Sequence, residues 1–92
     1  IYATIDETIR QCDILYLPIC MVVFNASIAP GVPAAAYNGI FADAAFMHYF
    51  RHILRSEKLR AFDIAEANPS LDLENRTAKL AASLLNEWLM MS

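Results

Sequence analysis

Residues 14–24 read Ile-Leu-Tyr-Leu-Pro-Ile-Cys-Met-Val-Val-Phe, an apolar run without a charge. A run that does not alternate predicts a strand buried on both faces, as in a parallel sheet under helices. Pro18 opposes that reading, because it removes a ladder donor and belongs at an edge or bulge. The strand is therefore expected to weaken or split there. Ahead of it, Ile1, Ile5, Ile9 and Cys12 recur at helical spacing, with Asp6, Glu7, Arg10 and Gln11 opposite. That spacing predicts a short helix over residues 4–12. Prolines and glycines punctuate residues 25–39, which read as a long loop of the kind that is often functional.

Residues 42–57 give the clearest helix. Phe46, Tyr49, Phe50, Ile53 and Leu54 make an apolar face, and His48, Arg51, His52 and Arg55 lie mostly opposite. Asp43 complements the start of this helix, and Arg55 and Lys58 its end. Residues 59–65 predict a second strand, stopped by Asn68-Pro69. Asp72 then offers an N-cap for a helix over residues 73–90. Its stripe is Thr77, Leu80, Ala81, Leu84, Leu85, Trp88 and Leu89. Met90 and Met91 read as core or interface filler. The order is helix, strand, loop, helix, strand, helix. The fold class is α/β: a βαβα unit with parallel strands covered by helices, joined by a right-handed crossover.

Composition sharpens this picture. The chain has 92 residues, enough for a single small domain or fragment over residues 1–92. It is 58% hydrophobic and 18% charged, more apolar than an ordinary domain. Two strands are few for a stable parallel sheet. The surplus apolar surface therefore predicts a homo-oligomer or a protein partner. A net charge of −3 argues against nucleic acid. The cluster Arg51, Arg55, Lys58 and Arg60 fits a solvated helix face. No apolar run reaches membrane-spanning length, and no signal peptide opens the chain. Cys12 and Cys20 read as reduced thiols, which points to the cytoplasm. The opening residue, Ile1, suggests a trimmed or internal piece of a longer protein.

Candidate chemistry lies in two stretches. His48 and His52 stand four apart on a helix, and a pair without a third ligand is weak as a metal site. The second stretch is Phe62-Asp63-Ile64-Ala65-Glu66-Ala67-Asn68-Pro69, followed by Asp72 and Arg76-Thr77-Ala78-Lys79-Leu80-Ala81-Ala82. With the loop Ala29-Pro30-Gly31, it resembles the carboxyl end of the arginase (ureohydrolase) superfamily, and within it the formimidoylglutamases. The resemblance covers nearly all of the chain, which corresponds to the last third of a family member.

The resemblance implies the arginase fold and manganese-dependent hydrolysis of N-formimidoylglutamate to glutamate and formamide, in histidine breakdown. Manganese is expected of the family, and no cofactor is expected in this chain. The family draws late metal ligands from a Ser-x-Asp-x-Asp pattern on the strand before the Pro-Gly loop. Those positions fall on Pro18, Cys20 and Val22. Val22 cannot ligate, and Cys20 is expected to be a small buried apolar residue. Glu66 matches the family carboxylate that holds the amidine or guanidine end of the substrate. Asp63 is expected to be structural, bonding to backbone.

Three readings follow. The chain is a non-catalytic fragment resembling a formimidoylglutamase, with no catalytic and no metal-binding residue of its own. It is a self-associating or partner-binding α/β module. Or it is one part of an active enzyme completed by other chains.

Overall fold

A bulge sets the geometry of the sheet. In the computed structural model, which describes residues 2–91, β1 (Leu15–Cys20) pairs in parallel with β2 (Leu59–Ala65). Leu15 faces Leu59, but Tyr16 faces Ala61, so Arg60 is the extra residue. From there the register runs without a break to Cys20 opposite Ala65. Leu17, Ile19, Phe62 and Ile64 consequently share one face, and Tyr16, Pro18, Cys20, Ala61, Asp63 and Ala65 the other. The bulge also lets Leu59 keep its contact with the core.

The three helices are α1 (Tyr2–Arg10), α2 (Ala44–Leu54) and α3 (Arg76–Met91). All pack on the Leu17 face. Asp43, expected just inside a helix over residues 42–57, instead stands before α2 and caps it by accepting the Phe46 N–H at 3.0 Å. Aromatic rings then run through the core from Phe24 to Phe46, Phe50, Phe62 and Trp88, with centroids 5.2–5.8 Å apart. This spacing suits edge and offset ring contacts. Phe24, Met21, Phe50, Leu54 and Leu84 are buried around it. Arg51 forks onto the Glu87 carboxylate at 2.8 and 2.9 Å, tying α2 to α3. His52 Nε2 meets Asp6 at 2.6 Å, and Lys58 Nζ donates to the Ile9 carbonyl at 2.6 Å. These two contacts fix α1 beside α2. Leu15, Leu17 and Ile53 line a cavity beneath α1, with a volume of about 220 Å³.

Several expectations need correction. The first strand is not buried on both faces, because every helix lies on one side of it; its exposure alternates along Leu15–Cys20. Pro18 does not split it but keeps register with Asp63. The strand ends at Cys20, and a 3-10 turn over Met21–Val23 follows. The third helix begins at Arg76 rather than near residue 73. Glu74 and Asn75 adopt φ of 53° and 57°, left-handed values that no helix start can contain. The basic cluster is also not a plain solvated face, since Arg51 and Lys58 are engaged as described. On α3, Leu85, Leu89 and Met90 are exposed. The loop over residues 25–39 is tied to the strand end: Asn25 N–H donates to Ile40 O at 2.7 Å, and Ala26 N–H to Ala36 O at 2.8 Å. Gly39 passes so close to Phe24 that an added Cβ would lie 2.5 Å from its carbonyl. Glycine is therefore required there.

Candidate functional site

Two loops leave the same end of the sheet. One follows β1 and carries Ala29-Pro30-Gly31; the other follows β2 and carries Glu66 and Asn68-Pro69. A polar buckle holds them together. Asn68 N–H donates to the Gly31 carbonyl at 2.6 Å, and Gly31 N–H donates to Thr77 Oγ1 at 2.7 Å. Thr77 is 1% exposed, and its hydroxyl donates a hydrogen bond to Asp72. The Asp72 carboxylate also accepts N–H bonds from Leu73, Thr77 and Ala78 at 2.9–3.1 Å. It therefore caps α3 across the left-handed pair at Glu74 and Asn75. Partial burial works to raise the Asp72 pKa. The bonds from the Thr77 and Ala78 amides, the Thr77 hydroxyl and the Leu73 amide overcome it and hold the carboxyl below its ordinary value. At Gly31 a Cβ would meet Asp72 at 2.7 Å, so any side chain there would force the loops apart.

The buckle brings the expected site positions to one edge. Cys20 lies opposite Ala65, and Glu66 is the next residue along. Glu66 is exposed and adopts φ 73°, a left-handed conformation that costs about 1–2 kcal/mol outside glycine. Such strain persists where the surroundings impose it. Cys20 is exposed, which corrects the expectation of a buried residue. The cause is the bare face of the sheet on which its side chain stands. Val22 lies in the 3-10 turn and packs partly against the core. Asp63 does not bond to backbone as expected; it accepts the Tyr16 hydroxyl on the open face. That bond, with partial burial and the nearby charge, raises the Tyr16 pKa. Thr77 was expected in an apolar stripe, but its hydroxyl is the link between the loops. The Arg-Thr-Ala motif beside Asp72 was the available signal.

These residues do not fit a pair of manganese ions. Hard Mn ions take carboxylate and imidazole ligands. Val22 has no donor atom, Cys20 offers one soft thiol, and Glu66 is a single carboxylate. Among the described residues no group of three His, Cys, Asp or Glu is placed to hold a metal. His48 is exposed on α2, while His52 is committed to Asp6.

Comparison with known proteins agrees with this architecture. Residues 1–91 match the arginase family. Formimidoylglutamase from Aeromonas hydrophila is 45% identical over 85 residues, covering 92% of this chain and 27% of that protein. The Staphylococcus aureus enzyme of strain MRSA252 is 38% identical over the same length. The crystal structure of formimidoylglutamase from Bacillus subtilis superimposes with a TM-score of 0.85 at 25% identity, covering 95% of this chain and 27% of that one. Arginase from Bacillus caldovelox shares the fold, with a TM-score of 0.79. The chain spans about a quarter of the length of the curated relatives it matches. With its α/β unit of two parallel strands and its paired carboxyl-terminal loops, it belongs to the arginase family.

Proposed function

We propose that this chain is a non-catalytic piece of a formimidoylglutamase-type fold. The family activity is manganese-dependent hydrolysis of N-formimidoylglutamate in histidine degradation, in the cytoplasm. Residue identity supports the reading: at the two positions where the resemblance implies metal-binding carboxylates, the sequence has Cys20, at the end of β1, and Val22, in the turn after it. Without those ligands no hydroxide is generated at neutral pH by a bound metal pair. By the resemblance Glu66 matches the family's substrate-binding carboxylate, and as an exposed carboxylate it can accept paired N–H bonds from an amidinium or guanidinium group. We assign it a residual substrate-binding role without turnover.

The test is formamide release from N-formimidoylglutamate by the whole chain in excess Mn²⁺. No release above the uncatalysed rate is expected. Release that disappears in Glu66→Gln would overturn the reading. A second reading, a self-associating or partner-binding module, is favoured by the open face of the sheet.

A further inference from the structure

Asn38 precedes Gly39 in the loop after β1, and it is exposed in the turn over residues 37–38. Asparagine is a thermolabile residue, because the nitrogen of the next residue can attack its side-chain carbonyl carbon. A side chain on that next residue crowds the attack, and hydrogen bonds to the N–H or to the amide oppose it. The structure separates the asparagines on these grounds. Asn25 donates to the Tyr37 carbonyl at 2.9 Å and accepts from the Ser27 N–H at 3.0 Å. Asn68 accepts from Ser70 and precedes Pro69, whose nitrogen has no proton to lose. After Asn75, the Arg76 N–H is bonded to the Leu73 carbonyl at 3.0 Å. Asn86 lies inside α3, where the next N–H is bonded in the helix. Among the described residues, no bond occupies the Gly39 N–H or the Asn38 side chain, and Gly39 brings no side chain of its own.

We propose that Asn38 is a modification site, where the side-chain amide is lost by spontaneous cyclisation onto Gly39. The Gly39 nitrogen gives its proton to base and forms a bond to Asn38 Cγ. The Cγ–Nδ2 bond breaks, and the amide nitrogen leaves as ammonia. Water then opens the succinimide ring. Opening at Cγ leaves an aspartate on a normal backbone; opening at the backbone carbonyl leaves an isoaspartate, whose chain runs through Cγ. Either product takes the net charge of −3 one unit further negative.

The isoaspartate is the product this loop cannot hold. Ahead of the turn, the Ala36 carbonyl is pinned by the Ala26 N–H at 2.8 Å; after it, the Ile40 carbonyl is pinned by the Asn25 N–H at 2.7 Å, and the Ile40 N–H by the Val23 carbonyl at 3.0 Å. Between them Gly39 lies against Phe24, where even a Cβ would come within 2.5 Å of the carbonyl. An extra backbone carbon between these fixed ends must break the Ile40 bonds. Phe24 is fully buried and opens the row of rings, so the modification releases the loop from the core. None of this depends on Glu66 or on metal ligands, so it stands or falls apart from the proposed function.

The test is ageing of the purified 92-residue chain at mildly alkaline pH. Peptide mapping by mass spectrometry and methylation by an isoaspartyl methyltransferase locate the product. Isoaspartate is expected at position 38 before any other asparagine, and sooner at higher pH. In the isoaspartyl fraction, the Asn25 and Ile40 amides are expected to lose hydrogen-exchange protection, while amides within α2 keep theirs. Asn38→Gln, which would need a larger ring, is expected to age without either change. Fresh Asn38→Asp, with the charge on a normal backbone, is expected to keep full protection. Absence of isoaspartate at position 38, or its equally early appearance at another asparagine, would overturn the proposal. Retained protection in the isoaspartyl fraction, or lost protection in fresh Asn38→Asp, would overturn the release of the loop by backbone lengthening.

Discussion

The two faces of the sheet differ by one side-chain position and behave as different kinds of surface. On the Leu17 face, Phe62 and Ile64 meet a chain of aromatic rings from α2 and α3 and are partly buried against the core. On the Tyr16 face, alanines, a proline and a thiol lie open. Both faces are apolar along β1, so hydrophobicity alone does not separate them. Helix attachment does: Phe62 holds α2 and α3 to the first face by ring contacts, and the Arg51–Glu87 pair and the Asp6–His52 contact join the three helices to one another. The difference shows that burial in this unit follows from where the helices are tethered, and that the strand itself is suited to cover on either side.

Breaking the closed face should have the largest effect. Phe50 is 2% exposed and touches both Phe46 and Phe62. Phe50→Ala should cost about 3–5 kcal/mol, through lost transfer energy and the cavity left behind. That is a large share of the stability of so small a unit. Urea unfolding followed by circular dichroism would measure it, and a loss below that of an ordinary surface change would mean that the ring chain does not carry the core.

The buckle between the two loops should have an intermediate effect, with a pH signature. The Asp72 carboxyl is held below its ordinary value of 3.8, so it stabilises the fold above that value. The contribution is lost as the pH falls through the folded value. Asp72→Asn should lower Tm by several degrees at neutral pH and flatten the decline of Tm between pH 5 and the acid limit of folding. Glu87, lowered by its bond to Arg51, adds to the acid loss in both proteins. An unchanged slope in the variant would remove Asp72 as the cause.

The smallest effect sharpens the contrast. Cys20→Ser changes an exposed side chain on the open face. Stability of the free chain should move by no more than ~0.5 kcal/mol, as for other surface changes. A larger loss would mean that the face is already covered in solution.

Much of the local structure was legible in the chain itself. The second strand has the bounds expected for it, 59–65, because an apolar run ends at an Asn-Pro stop. Asp43 stands at the start of α2, where its charge was expected to complement the helix dipole. What was not legible depends on pairs far apart in sequence. Thr77 meets Gly31 across 46 positions, and no periodicity marks that contact. The delayed start of α3 was hidden for another reason, since Glu74 and Asn75 adopt left-handed values that neither residue type requires.

By itself, then, the sequence determined the order of helices and strands and their parallel pairing through a helical crossover. These depend on side-chain period, turn chemistry and residue identity, all of which are local. Tertiary structure alone decided which face of β1 is buried and that Cys20 is exposed. The physical reason is the register: one extra residue at Arg60 sets which side chains of β2 accompany those of β1, and the helices tethered to one side leave the other face open.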